Sequence, residues 1–284
     1  MEEKILFVKI FQPYAQYRNP FTFYYAQTYP LPPKSTILGM LQNCLDDWYG
    51  YNFNEMWKGI RVSIHGGFES IFWNYQSMLK GDISISSNGI LINNVEGKQW
   101  LPLYGSIKSQ RSPIYQQELF NGHLYVFLRG SSELIERIKE NLEKPRKVLY
   151  LGRSEDVIFI KEVKYVEALE REEVEGDVKL KYPTYIKEKN FPIRMTKYPV
   201  YHIPVSVVFK NDDIPIKHKA QILKKDARNL AGISEVTKRE VKFETVIYTG
   251  YDYSIILKRG IKIELEYIKV DNEEIRIIKD YGWL

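Results

Sequence analysis

Arg18 is the sole cation, and no acid stands near it, in the opening of a stretch that reads QPYAQYRNPFTFYYAQTYPLPPKSTILGML over residues 12–41. Seven aromatics fall in its first eighteen positions. A planar guanidinium among rings can fork onto a phosphate or lie flat on a base. Tyr14, Tyr17, Phe21, Phe23 and Tyr29 supply π-faces, and Gln16 and Gln27 supply amides able to read base edges. Lys34 and Ser35 open a helix, where oriented N–H groups favour an anion. The competing reading is a loop that packs over the core with its own rings, and part of the aromatics is expected to do that.

Chemistry that breaks bonds has less support. No P-loop, GxGxxG, HExxH or GxSxG occurs, and the four histidines, His65, His123, His202 and His218, are scattered. No catalytic residue, metal site or cofactor is therefore expected. A metal-free ribonuclease needs a base, an acid and a cation for the phosphorane charge. Lys217-His218 is the adjacent pair of that type, in a lysine-rich loop-like segment.

The elements that must position these residues follow from periodicity. Residues 4–11 (KILFVKIF) predict a strand and 12–31 an extended loop. Pro33-Lys34-Ser35 launches a helix to about Trp48, with Ile37, Leu38, Leu41 and Leu45 on one face. Gly39 weakens such a helix by about 1 kcal/mol relative to Ala, which points to close approach of a sheet or ligand. IRVSIHG and FESIFWNY, 60–66 and 68–75, predict two strands joined by a glycine turn. Residues 77–113 read as an irregular hairpin insertion carrying Lys108, Gln110 and Arg111. A strand at 123–130, a helix capped by Ser131-Ser132-Glu133, and a strand at VIFIKEV follow.

The order is βαββαβ, an α+β ferredoxin-like or RRM-like arrangement, over residues 1–166. Residues 167–178, EALEREEVEGDV, predict an acidic linker, and 179–284 a smaller β-rich C-terminal lobe. Strands are expected near 200–210, 241–249, 253–258 and 261–269.

Composition sets the outer bounds. Net charge is +5, and 22 Tyr beside 13 Phe and 5 Trp favour wet interfaces and stacking as well as cores. Residues 179–198 hold six basic residues and one acid, a cluster that attracts phosphate or simply faces solvent. The single cysteine, Cys44, excludes an internal disulfide and cysteine-based zinc clusters, and its apolar setting predicts an inert thiol. No signal peptide or membrane-length apolar run is visible, so a cytoplasmic protein without membrane contact is expected.

Two stretches resemble the CRISPR-associated Cas-five family. Its N-terminal pattern is matched by Ala15, Tyr17, Arg18 and Pro20, then Thr28, Tyr29, Pro30, Pro32 and Pro33, then Ser35, Thr36, Ile37 and Gly39. YLGRSEDVIFI, 150–160, is similar to the family's Leu-Gly-Arg-Ser-Glu element and adds Arg153 to the candidate contacts. The resemblance covers residues 1 to about 165 and implies an RRM-like domain with a hairpin thumb at 77–113. It also implies a subunit of a type I Cascade complex, with type I-B as the expected branch. Such subunits hold the 5′ handle of the crRNA and contact the Cas-seven backbone and the large Cas-eight subunit, which engages target DNA. By position Tyr14, Gln16, Arg18, Lys34 and Ser35 would face the handle, with Lys108, Gln110, Arg111 and Arg153 beside them. Members of type I-C cut precursor RNA with Tyr, Lys and His, their Lys-His pair lying centrally. Here the central segment has Lys108 and Arg111 without a neighbouring His, and Lys217-His218 lies far downstream, so a non-catalytic member is expected. The alternatives are a metal-independent endoribonuclease and a pure protein–protein adaptor.

Overall fold

The structure is a computed structural model. It describes residues 4–22, 25–47, 50, 52–79, 82–86, 89–94, 97–101, 111–194, 198–209, 239–250 and 254–284. Lys108, Gln110, Phe23 and the Lys217-His218 pair lie outside the described residues, and Arg111 is described in its backbone alone.

Strand β1 (Ile5–Ala15) sits inside the main sheet because its two faces are both apolar. Leu6, Val8 and Ile10 face the core shared with helix α1 (Lys34–Cys44), while Ile5 and Phe7 join a different core on the opposite side. The short β2 (Tyr25–Ala26) and helix α2 (Asn54–Lys58) precede β3 (Arg61–Leu79). Three strands then form their own antiparallel meander, β4 (Asp82–Ser86), β5 (Gly89–Asn94) and β6 (Gly97–Leu101). Strand β7 (Arg111–Arg129) returns along β3, helix α3 (Ser132–Glu143) follows, and β8 (Phe159–Val166) closes the unit. The hydrogen-bonded order is β3-β7-β1-β8, all antiparallel, with β2 added parallel to β7. Helices α1 and α3 bury Ile37, Leu41, Leu134 and Ile138 against one face of this sheet.

Several local expectations are corrected. β3 is one continuous strand with no turn at the glycines. Gly66 sits at φ +113, and a Cβ there would stand 2.1 Å from the His123 carbonyl oxygen, so the glycine marks close backbone approach. Helix α1 ends at Cys44 because Asp46 takes the left-handed conformation, φ 55. Around Gly39 nothing among the described residues stands within 4 Å of an added Cβ, so no strand packs closely against it. Ser131 occupies the cap position of α3 without a side-chain capping bond.

The acidic stretch is not a bare linker. It contains β9 (Ala168–Glu175) and β10 (Asp177–Lys179). The remaining strands are β11 (Tyr185–Lys187), β12 (Val200–Phe209), β13 (Arg239–Tyr248), β14 (Ser254–Ile256), β15 (Lys262–Val270) and β16 (Glu273–Ile278). β9 pairs with β15, where Lys262 meets Glu173 at 3.5 Å and Glu175 accepts the Gly260 N–H at 2.9 Å. Cross-strand partners thus take up part of the charge, while Val174 turns inward. The sheet β16-β15-β9 lays Ile268, Val270, Ile275 and Ile277 on Ile5, Phe7 and Phe127, covering part of the main sheet's second face.

Candidate nucleic-acid interface

Local hydrogen bonding dictates the course of the aromatic loop. The buried Gln12 amide donates to the Leu151 carbonyl at 2.7 Å and the Asp156 carbonyl at 3.3 Å, and its oxygen accepts the Tyr17 hydroxyl at 2.5 Å. Gln16 donates its backbone N–H to the Asp156 carboxylate at 2.9 Å. Its side chain donates to the carbonyls of Ala26 and Gln117. The Tyr17 N–H reaches Thr28 Oγ1 at 2.8 Å, and the Tyr29 hydroxyl donates to the His202 carbonyl at 2.6 Å. Burial pushes the Tyr29 hydroxyl up to about 12 and the Tyr17 hydroxyl well above its ordinary value, so both stay protonated donors. Gln16, Tyr17 and Tyr29 therefore hold the loop together and present nothing to a ligand.

The two stretches that resembled one family meet here. Asp156, buried, accepts from the Gln16 N–H, from the Arg153 N–H and from the Arg153 guanidinium. Arg153 also donates to Glu118 at 2.7 Å and Gln116 at 3.1 Å. Burial lowers the Arg153 pKa, but Asp156 and Glu118 outweigh it and hold the pKa above its usual value. Its charge is consumed by carboxylates. Gly152 is required for this approach: at φ +110 an added Cβ would lie 2.8 Å from the Gln16 carbonyl and 2.9 Å from Asp156. Lys34 is similarly engaged, its Nζ donating to the main-chain oxygen of Leu284 at 3.0 Å. Burial, then Lys187 and Arg61, push it down to about 8 against an opposing pull from Glu244. Ser35 is half-buried at the start of α1.

What the loop offers outward is narrower. Arg18 is exposed, held by a backbone bridge to Thr28, and its guanidinium has no partner among the described residues. Gln27 is exposed as well. Tyr14 is 49% exposed and meets Phe120 at 5.2 Å and Phe72 at 6.5 Å. Tyr25 meets Trp73 at 6.1 Å and Tyr115 at 6.4 Å, and Tyr75 meets Tyr115 at 5.2 Å. Successive strand residues point to opposite faces, so Phe72 and Trp73 put rings on both sides of the β3–β7 ribbon. Sequence reading missed Phe72, Trp73, Tyr75 and Tyr115 as surface rings. The signal was present: adjacent aromatics in one strand cannot both enter a single core.

These features define a strand-rich protein of mixed α and β structure with an aromatic loop clamped beside its main sheet. The chain belongs to the family described as CRISPR-associated protein (Cas_Cas5), whose model matches residues 5–243. Its fold is similar to that of a chain from a CRISPR RNA-guided surveillance complex, with a TM-score of 0.51 at 14% identity over 88% of this chain and 95% of that one. A CRISPR protein from Archaeoglobus fulgidus aligns at 13% identity over 96% and 98% of the two chains, with a TM-score of 0.41. A search of curated proteins finds no match. Among the described residues no helix is long and apolar enough to cross a membrane.

Proposed function

We propose that this protein is a non-catalytic RNA-binding subunit of a type I Cascade complex, of the I-B kind, acting in antiviral DNA interference. It holds the 5′ handle of the crRNA and contacts the Cas-seven backbone and Cas-eight large subunits. Family membership supports the setting. The observation that carries RNA binding is the exposed Arg18, without a side-chain partner among the described residues, on a loop whose neighbours are exposed rings. Splayed bases stack on such rings while a guanidinium takes the phosphate or a base edge. The order β3-β7-β1-β8, with α1 and α3 on one face, supports reading residues 1–166 as a ferredoxin-like domain. The meander β4–β6 then serves as its thumb, and 179–284 as the C-terminal lobe.

On this reading the handle contacts are Tyr14, Arg18, Gln27 and Ser35, which the loop leaves at least partly exposed, with Phe23, Lys108, Gln110 and Arg111 kept on chemistry alone. Arg18→Ala in the assembled complex is expected to weaken crRNA retention by about 1–3 kcal/mol. With about six phosphate contacts, the log–log salt slope on single-stranded RNA is about −4. Wild-type retention by Arg18→Ala with full assembly would instead make the chain a protein adaptor. Labelled repeat RNA in EDTA tests the remaining alternative: a discrete cut lost in His218→Ala identifies an endoribonuclease.

A further inference from the structure

Among the described residues, β9, β15 and β16 cover only part of the main sheet's second face. Beyond the reach of β15 and β16, Phe11 lies between His123 and Phe159 in register across β7, β1 and β8. Their rings stand side by side, Phe11 to His123 at 5.3 Å with 38° between planes and Phe11 to Phe159 at 6.0 Å with 30°. They tile the surface as a gently curved platform. Three residues further along β1, Tyr14 and Phe120 form another exposed ring pair across β1 and β7.

The charge that lies over these rings is a cation. Lys161, exposed at the register shift between β1 and β8, places Nζ 5.4 Å from the Phe11 ring and 5.7 Å from the Phe159 ring. It has no carboxylate partner among the described residues. The nearby acid on β8, Glu162, pairs at 2.7 Å with Lys164, which also meets Asp271 at 2.6 Å. The acid bordering Phe120, Glu118, is taken by Arg153. A protein interface depletes charge, lysine above all, at its centre. Here the free ammonium sits over the rings, the arrangement suited to a polyanion with flat faces.

We infer that this open part of the sheet is a second stacking track for unpaired bases of single-stranded nucleic acid. Phe11, His123 and Phe159 form the base platform and Lys161 meets the phosphates. The inference rests on the RNA-binding reading above and extends its path from Tyr14 along β1. Stacking on rings is sequence-tolerant, so the track adds affinity and length rather than base choice.

The test is fluorescence anisotropy of the full chain with labelled oligouridine of about 14 nucleotides, within the site size of such surfaces. The variant is Phe159→Ala with Lys161→Ala, both exposed positions. It should bind about tenfold more weakly and flatten the log–log salt slope by about 0.7. Wild-type affinity in this variant, beside a weakened Arg18→Ala, overturns the track and leaves the first reading standing. A wild-type chain that binds no RNA overturns both. Cross-linking with 4-thiouridine RNA gives an independent readout that needs no variant. Adducts on Phe11, His123 or Phe159 support the track, and adducts confined to residues 12–33 overturn it.

Discussion

His65 shows how a chemically capable side chain can be wholly structural. Its Nε2 lies 2.9 Å from Ser63 Oγ, its ring meets Phe127 edge-on at 5.7 Å, and buried Nδ1 has no partner among the described residues. A proton on Nδ1 would be an unsatisfied donor in an apolar core, and burial pushes the imidazole down to about 3. The unfolded chain takes up that proton near pH 6.5 while the folded chain refuses it until about pH 3. Stability is therefore lost as pH falls through this window, by about 2 kcal/mol between pH 7 and pH 5. Urea midpoints of wild type and His65→Gln should diverge accordingly, with the variant flatter. Parallel pH profiles would mean that His65 is hydrated. Arg153 carries the same lesson. The family resemblance made Arg153 a candidate RNA contact, yet Asp156 and Glu118 pair with it. Arg153→Ala leaves both carboxylates short of a partner and should lower stability by about 3 kcal/mol. A loss of RNA affinity at unchanged stability would return Arg153 to the interface. Arg18 was singled out by residue type and setting and Arg153 by the family resemblance; Asp156 and Glu118, the latter 35 positions away, separate them.

Glycine spacing along single elements was readable in presence and not in cause. Gly66 stood out between two apolar runs and implied a turn, but β3 runs straight through it against the His123 carbonyl. Gly39 stood out inside a helix and implied a close neighbour, but its surroundings are open. The two positions predict opposite outcomes for one substitution. Gly66→Ala meets backbone at a positive φ and should cost about 3 kcal/mol or more. Gly39→Ala meets nothing and should stabilise the isolated chain by up to about 1 kcal/mol. Thermal melts of the two variants decide it, and destabilisation by Gly39→Ala would refute the open surroundings. Elsewhere, alternation and helical periodicity found β1, β8, β12, β13, β15, α1 and α3 but not α2, β11 or β16, because a long buried face writes itself into the sequence and a short element does not. The acidic run failed for a different reason: its partners, Lys262 and Gly260, come from a distant strand.

The two halves of the chain share a core, so the molecule should unfold as one unit. Ile5, Phe7 and Phe127 of the first half are covered by Ile268, Ile275, Ile277 and Trp283 of the second. At this junction Arg129 pairs with Glu266 at 3.0 Å, lies under the Trp283 ring at 4.2 Å, and has no partner for its Nε among the described residues. Trp283 Nε1 donates to the same carboxylate at 2.9 Å. Glu266→Ala would strand a buried guanidinium and an indole N–H together, a loss of about 3–5 kcal/mol. Replacing both charges, Arg129→Met with Glu266→Leu, removes the desolvation burden along with the attraction and should recover most of that loss. Urea unfolding followed by tryptophan fluorescence and by far-ultraviolet circular dichroism should give coincident transitions in wild type and double variant. Separated transitions in wild type would mean that the C-terminal half unfolds alone and that the shared core contributes little. Coincidence instead makes the covered part of the sheet a permanent interior, which confines any ligand of this face to the part that Phe11, His123 and Phe159 leave open.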